Sequence, residues 1–183
     1  MTPPDGRRAT RLSEPTIVEV ARAHLADRGY RVWVDPDGHD YFDLVARRGD
    51  EVGLVEAKVA NSRKVLAQAL RRRVWGDWTA VVVASVRSAT HLADRTEGTR
   101  AAPVGIWCLD ANAIRVVRAP RPWVVPGATD PYADLRERFR RILDDLENGT
   151  LPPGTSWDGV LGQIRRASGG RGFAEWRLDE PPV

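Results

Sequence analysis

The chain has 183 residues, 42% of them hydrophobic and seven of them tryptophan, enough for one domain with a sizeable core or one domain with a small appendage. A net charge of +3 is too small to name a nucleic-acid partner by itself, so such a partner depends on where the charge lies. The single cysteine, Cys108, excludes an internal disulfide and a cysteine-based metal cluster. No stretch approaches the ~18 apolar residues of a membrane helix, and the N-terminus lacks the apolar run of a secretory signal, so a cytoplasmic protein outside the membrane is expected.

Residues 1–12 are polar and carry Pro and Gly, which reads as a disordered tail. A helix is expected from Glu14 to Arg28, with Pro15 near its start, Gly29 at its C′ position and Ile17, Val20, Ala21, His24 and Leu25 as its apolar stripe. Glu19 admits two readings. It can close a capping box on Thr16, or it can face a functional site. Tyr30–Val34 reads as the first strand, and Asp35-Pro36-Asp37-Gly38 as a turn. His39 and Asp40 stand close enough in sequence to Asp43 to line the mouth of a cleft.

The next segment, Tyr41–Val59, reads as a β-hairpin turning at Gly49-Asp50, where glycine supplies the φ > 0 of a type II′ turn. In that register paired positions sum to 99, so Asp43 stands opposite Glu56, and Lys58 projects from the same face as Glu56. Flanking Leu44, Val45, Leu54, Val55 and Val59 make both strands read as buried on two sides. Two acids and one lysine on an apolar sheet need compensation. One reading is a buried salt bridge from Lys58 to Glu56 or Asp43, with Arg47 taking the remaining carboxylate. The other is a Mg²⁺ or Mn²⁺ ion on Asp43 and Glu56, with Lys58 acting on the attacking water. Only two of the 28 basic residues are lysines, Lys58 and Lys64, which favours a specific use of the ammonium at Lys58.

A second helix, Arg63–Arg73, follows with Ser62 as its N-cap, and its Arg63, Lys64, Arg71, Arg72 and Arg73 suit contacts to a phosphate backbone. Strands are expected at Trp78–Ser85, Pro103–Leu109 and Ala113–Arg118, with Cys108 buried in the second of these. Between the first two, the polar Val86–Arg100 stretch holds a short helix near Ser88–Asp94 and a mobile Thr96–Arg100 loop. Ala119–Pro131 carries four prolines and reads as a linker. Beyond it come an amphipathic helix from Pro131 to Leu146, a shorter one at Trp157–Ala167 and a strand at Arg171–Leu178, forming an appendage over residues 132–183 or packing on the core.

The Asp43 … Glu56-Ala57-Lys58 pattern resembles the PD-(D/E)xK nucleases of the restriction-endonuclease-like fold, nearest to Holliday-junction-resolvase-like or Mrr-like members. Phe42 stands where the signature has proline, and Arg72 stands where RecB-type members carry an aromatic. The resemblance covers roughly residues 13–110, within a domain expected over 13–118, and implies an α/β core ordered helix–three strands–helix–strand, with a mixed sheet flanked by helices. It also implies DNA as substrate, Mg²⁺ or Mn²⁺ held by Asp43, Glu56 and the Ala57 carbonyl, and Gln68 or Glu19 completing the site with Lys58. A homodimer is compatible with it. Two other classes remain open: a catalytically silent nucleic-acid-binding module of the same fold, and a structural or assembly protein.

Overall fold

A computed structural model describes residues 12–34, 42–59, 62–124 and 127–150, without the side chains of Ser62 and Arg63. Residues 1–11 of the tail expected over 1–12, the Asp35–Gly38 turn with His39 and Asp40, the Trp157–Ala167 helix and the Arg171–Leu178 strand lie outside the described residues, whereas Leu12 packs against the core.

The elements are α1 (Glu14–Ala26), β1 (Arg31–Val34), β2 (Leu44–Arg48), β3 (Glu51–Lys58), α2 (Ser62–Arg72), β4 (Trp78–Val83), α3 (Val86–Thr96), β5 (Gly105–Asp110), β6 (Ala113–Arg118) and α4 (Ala133–Glu147). They make an α/β fold around one six-stranded mixed sheet, with the strands side by side in chain order. The first three strands are antiparallel, β3, β4 and β5 are mutually parallel, and β6 turns back on β5. Each parallel connection carries a helix, as a parallel crossover requires.

The β2–β3 hairpin has the expected register: Leu44 pairs with Val55, Val45 with Leu54 and Arg48 with Glu51. Its turn is set at Gly49, whose φ is 60°. At the other edge, Ala111 and Asn112 both have positive φ, 45° and 67°, which gives the twist of a type I′ turn between β5 and β6.

Side-chain alternation separates two buried layers. Leu44, Ala46, Val55, Ala57, Ala80, Val82 and Trp107 pack with Ile17, Ala21 and Leu25 of α1. On the other face, Val81, Val83, Ile106 and Cys108 pack with Val65, Leu66, Ala69 and Leu70 of α2 and with Ala89 and Leu92 of α3. Cys108 is fully buried there, and burial pushes its thiol pKa up. Burying one such aliphatic side chain stabilises the fold by about 1.5–3 kcal/mol, so these layers hold the sheet between its helices.

Several boundaries differ from the sequence expectation. The N-cap of α1 is Ser13, whose hydroxyl accepts from the Thr16 N–H at 3.4 Å, so Thr16 does not form a capping box with Glu19. The helix closes at Gly29 (φ 79°), where the Tyr30 N–H donates to the Leu25 carbonyl and the Gly29 N–H to the Ala26 carbonyl. Ser62 is the first residue of α2 rather than its cap. Helix α3 is longer than expected, because Ala89, Leu92 and Thr96 form a buried stripe within its polar sequence.

The Thr96–Arg100 segment, expected as a mobile loop, is tied to the fold. Arg118, at the end of β6, donates to the carbonyls of Ala93, Ala101 and Val104 and to the Thr96 hydroxyl. The segment expected as a linker is anchored too: the Trp123 N–H donates to the Asp77 carbonyl and the Arg121 N–H to the Pro103 carbonyl.

Helix α4 packs on the core. Phe139 and Leu143 are fully buried against Phe42, Val45, Val52, Leu54, Val74 and Trp75. Arg47 reaches Asp144 at 2.6 Å and Arg140 reaches Asp77 at 2.7 Å, so the turn end of the β2–β3 hairpin and the start of β4 are tied to this helix. Among the described residues, no helix is long and apolar enough to cross a membrane.

Candidate active site

Parallel partners point the same way, so Glu56 opposite Val81 and Lys58 opposite Val83 place both side chains on the α2 face of the sheet. Asp43, one residue before β2, lies close enough to Lys58, Arg72 and Glu14 for their charges to act on its carboxyl. The hairpin therefore brings Asp43, Glu56 and Lys58 to one end of the sheet, where β3 gives way to α2.

Their partners include residues the sequence reading did not bring to the site. Asp43 Oδ2 accepts the Ala57 N–H at 2.6 Å, so this carboxylate is turned onto the β3 backbone. Burial raises its pKa. The Ala57 N–H and the positive charges of Lys58 and Arg72 oppose that shift, while Glu14 adds to it. Glu56 is almost wholly buried, its side chain 2% exposed, and it forms an ion pair with Arg72. Lys58 Nζ lies 2.6 Å from Glu14 Oε2 in a half-open pair. Glu14 thus joins Lys58 and Arg72 joins Glu56, while Arg47, expected to take a leftover carboxylate here, serves α4.

Gln68 lies one helical turn before Arg72, on the same face of α2. It is buried, and its side-chain oxygen Oε1 has no hydrogen-bond partner among the described residues. Such an oxygen costs about 1–3 kcal/mol in desolvation. Among the described residues the sheet end thus collects Asp43, Glu56 and Glu14 against Lys58 and Arg72, three acids to two bases, with the unpartnered Gln68 oxygen on the same helix as Arg72.

Two expected site residues lie elsewhere. Glu19 is exposed on α1 and paired with Arg22, at 2.6 and 2.9 Å. That pair holds its carboxylate below the usual range. It neither caps the helix nor joins the cluster. Arg72, expected among the phosphate contacts, is buried on Glu56, because the cost of an uncompensated buried carboxylate outweighs the tendency of arginine to face water. Lys64 and Arg71 are exposed, and Arg73 is half-buried with its guanidinium 5.6 Å from the Trp123 ring. Arg63 opens α2, outside the set of described side chains.

Glu14 is the residue that sequence reasoning missed. It reads only as a helix-start acid until the direction of α1 across the sheet is known. The position of Arg72 carried a signal: it follows Val65, Gln68 and Ala69 on the inward face of α2.

The oxygen donors suit a hard divalent cation, which takes one or two carboxylates and keeps several waters. No group of three or more acid, histidine or cysteine side chains placed to hold a metal occurs among the described residues. The fit therefore rests on Asp43 and Glu56, together with the surplus of negative charge and the Gln68 oxygen. A separate concavity of about 310 Å³, lined by His24, Tyr30, Trp78 and Trp107 among others, lies on the α1 face, away from this cluster. No protein-family model matches the chain, and no curated protein matches it either.

Proposed function

We propose that the protein is a divalent-metal-dependent DNA endonuclease built on a restriction-endonuclease-like core. The observation that carries this reading is the convergence of Asp43, Glu56 and Lys58 at the end of one hairpin, with an excess of acid and the buried Gln68 oxygen beside them. The order helix, three strands, helix, strand, and the parallel placement of β4 beside β3, support the same fold reading.

In this reading Asp43 and Glu56 would hold Mg²⁺ or Mn²⁺, which would supply the positive charge that polarises a phosphate and activates water. Lys58 positions the attacking water and stabilises charge developing on the phosphate. Glu14 fixes the direction of the Lys58 ammonium through their 2.6 Å contact. Gln68 offers its carbonyl oxygen to the water or the cation. Exposed Lys64 and Arg71, with Arg63 and Arg73, contact the DNA backbone, so binding weakens steeply with salt.

The test is incubation of the full chain with supercoiled, linear and branched DNA in Mg²⁺, Mn²⁺ or EDTA. Metal-dependent strand cleavage is the expected result, and its absence on every substrate contradicts the reading. The Glu56–Arg72 pair favours one rival, a DNA-binding module without turnover, because it neutralises one candidate ligand internally. Salt-sensitive DNA binding without cleavage is the result that selects it.

A further inference from the structure

The buried ion pair beneath the site bears on how a cation would enter, an inference that rests on the nuclease reading. Glu56 has a 2% exposed side chain, so its ionised form requires a positive partner. Arg72 fills that role from α2, with its side chain 11% exposed and its guanidinium 5.6 Å from the Phe42 ring, next in sequence to Asp43. Arg72 also acts on Asp43 as a positive charge. A divalent cation held by Glu56 would meet the guanidinium already on that carboxylate and be repelled by it.

We propose that Arg72 is a resident counter-ion that competes with the divalent cation for Glu56, so that loading the site requires the guanidinium to leave the carboxylate. The arrangement keeps the sheet end folded without metal and sets the metal affinity lower than the carboxylates alone would give. Gln68 Oε1, one turn away on the same face of α2, has no hydrogen-bond partner among the described residues. Arg72 is a positioning residue here, acting through Glu56 and not on the substrate.

The experiment is a titration of the full chain with Mn²⁺ in the absence of DNA, followed by calorimetry and by the loss of free-Mn²⁺ paramagnetic signal. Wild type, Arg72→Gln and Arg95→Gln are compared, the last being an exposed α3 arginine that controls for the change in net charge. Arg72→Gln is expected to bind Mn²⁺ at least tenfold more tightly than wild type, with Arg95→Gln within threefold of it. Equal or weaker binding by Arg72→Gln overturns the proposal, as does an equal gain in Arg95→Gln. If Arg72→Gln does not fold alone, Mn²⁺ is expected to restore its circular-dichroism spectrum, and failure to do so overturns the proposal. A wild type that binds Mn²⁺ and cuts DNA while Arg72→Gln gains nothing defeats this inference alone. No Mn²⁺ binding by either protein defeats the nuclease reading with it.

Discussion

Lys58 at the end of β3 and Glu14 in the first turn of α1 are joined by a 2.6 Å contact, although 44 residues separate them in the chain. The pair is partly open to water, so its contribution to stability is about 1 kcal/mol or less. Its value lies in aiming the ammonium. Misplacement of a catalytic group by about 1 Å can lower a rate by about 10²-fold. Glu14→Gln should leave the denaturation midpoint nearly unchanged and slow metal-dependent cleavage by about 10-fold or more. An unchanged rate would remove Glu14 from the site.

Glu19 provides the contrast on the same helix. Its carboxylate is exposed and satisfied by Arg22 three residues on. Glu19→Ala should alter stability by about 0.5 kcal/mol or less and leave the cleavage rate at the wild-type value. A marked loss of activity would show that α1 presents the wrong face here.

Burial holds the Asp43 carboxyl above its ordinary pKa. The folded state therefore binds this proton more tightly than the unfolded chain does. The associated stability is present at low pH and is lost as pH rises through the folded pKa. Asp43→Asn removes that dependence while keeping an oxygen for the Ala57 N–H. The melting temperature of Asp43→Asn minus that of wild type should grow from acid toward neutral pH, measured without divalent metal. A difference independent of pH would contradict the burial argument.

Gly53 pairs with Trp78 across the parallel β3–β4 ladder, and a Cβ at Gly53 would run into the Trp78 indole. Trp78 is packed against Tyr30 and Trp107 and has little room to retreat. Gly53→Ala should lower unfolding free energy by about 1–3 kcal/mol in a urea titration, the usual range for overpacking a core. Wild-type stability in the variant would mean that the indole moves aside freely.

The hairpin register was legible because two constraints agree: Gly49 sets the turn, and strands buried on both faces do not tolerate a slip. The strongly apolar Trp78–Val83 strand was legible for the same reason. Ion-pair partners were not. Arginine on a helix is ordinarily counted as outward-facing, and only the buried Glu56 across the sheet draws Arg72 inward. Likewise α1 carries acids at Glu14 and Glu19, and sequence alone does not say which one overhangs the end of β3. The length of α3 was hidden because its inward stripe consists of Ala89, Leu92 and Thr96, of which only Leu92 is strongly apolar.

The central claim is tested most directly by measuring DNA binding and single-turnover cleavage together, with Mg²⁺, for wild type and Lys58→Ala. Lys58 lies at the strand end and is partly exposed, so its removal should leave the core intact. The account predicts that Lys58→Ala binds DNA within a few-fold of wild type but cleaves it about 10²-fold more slowly or worse, the usual contribution of a positioned acid–base group. Equal cleavage by the two proteins, or binding without cleavage by the wild type, would contradict it.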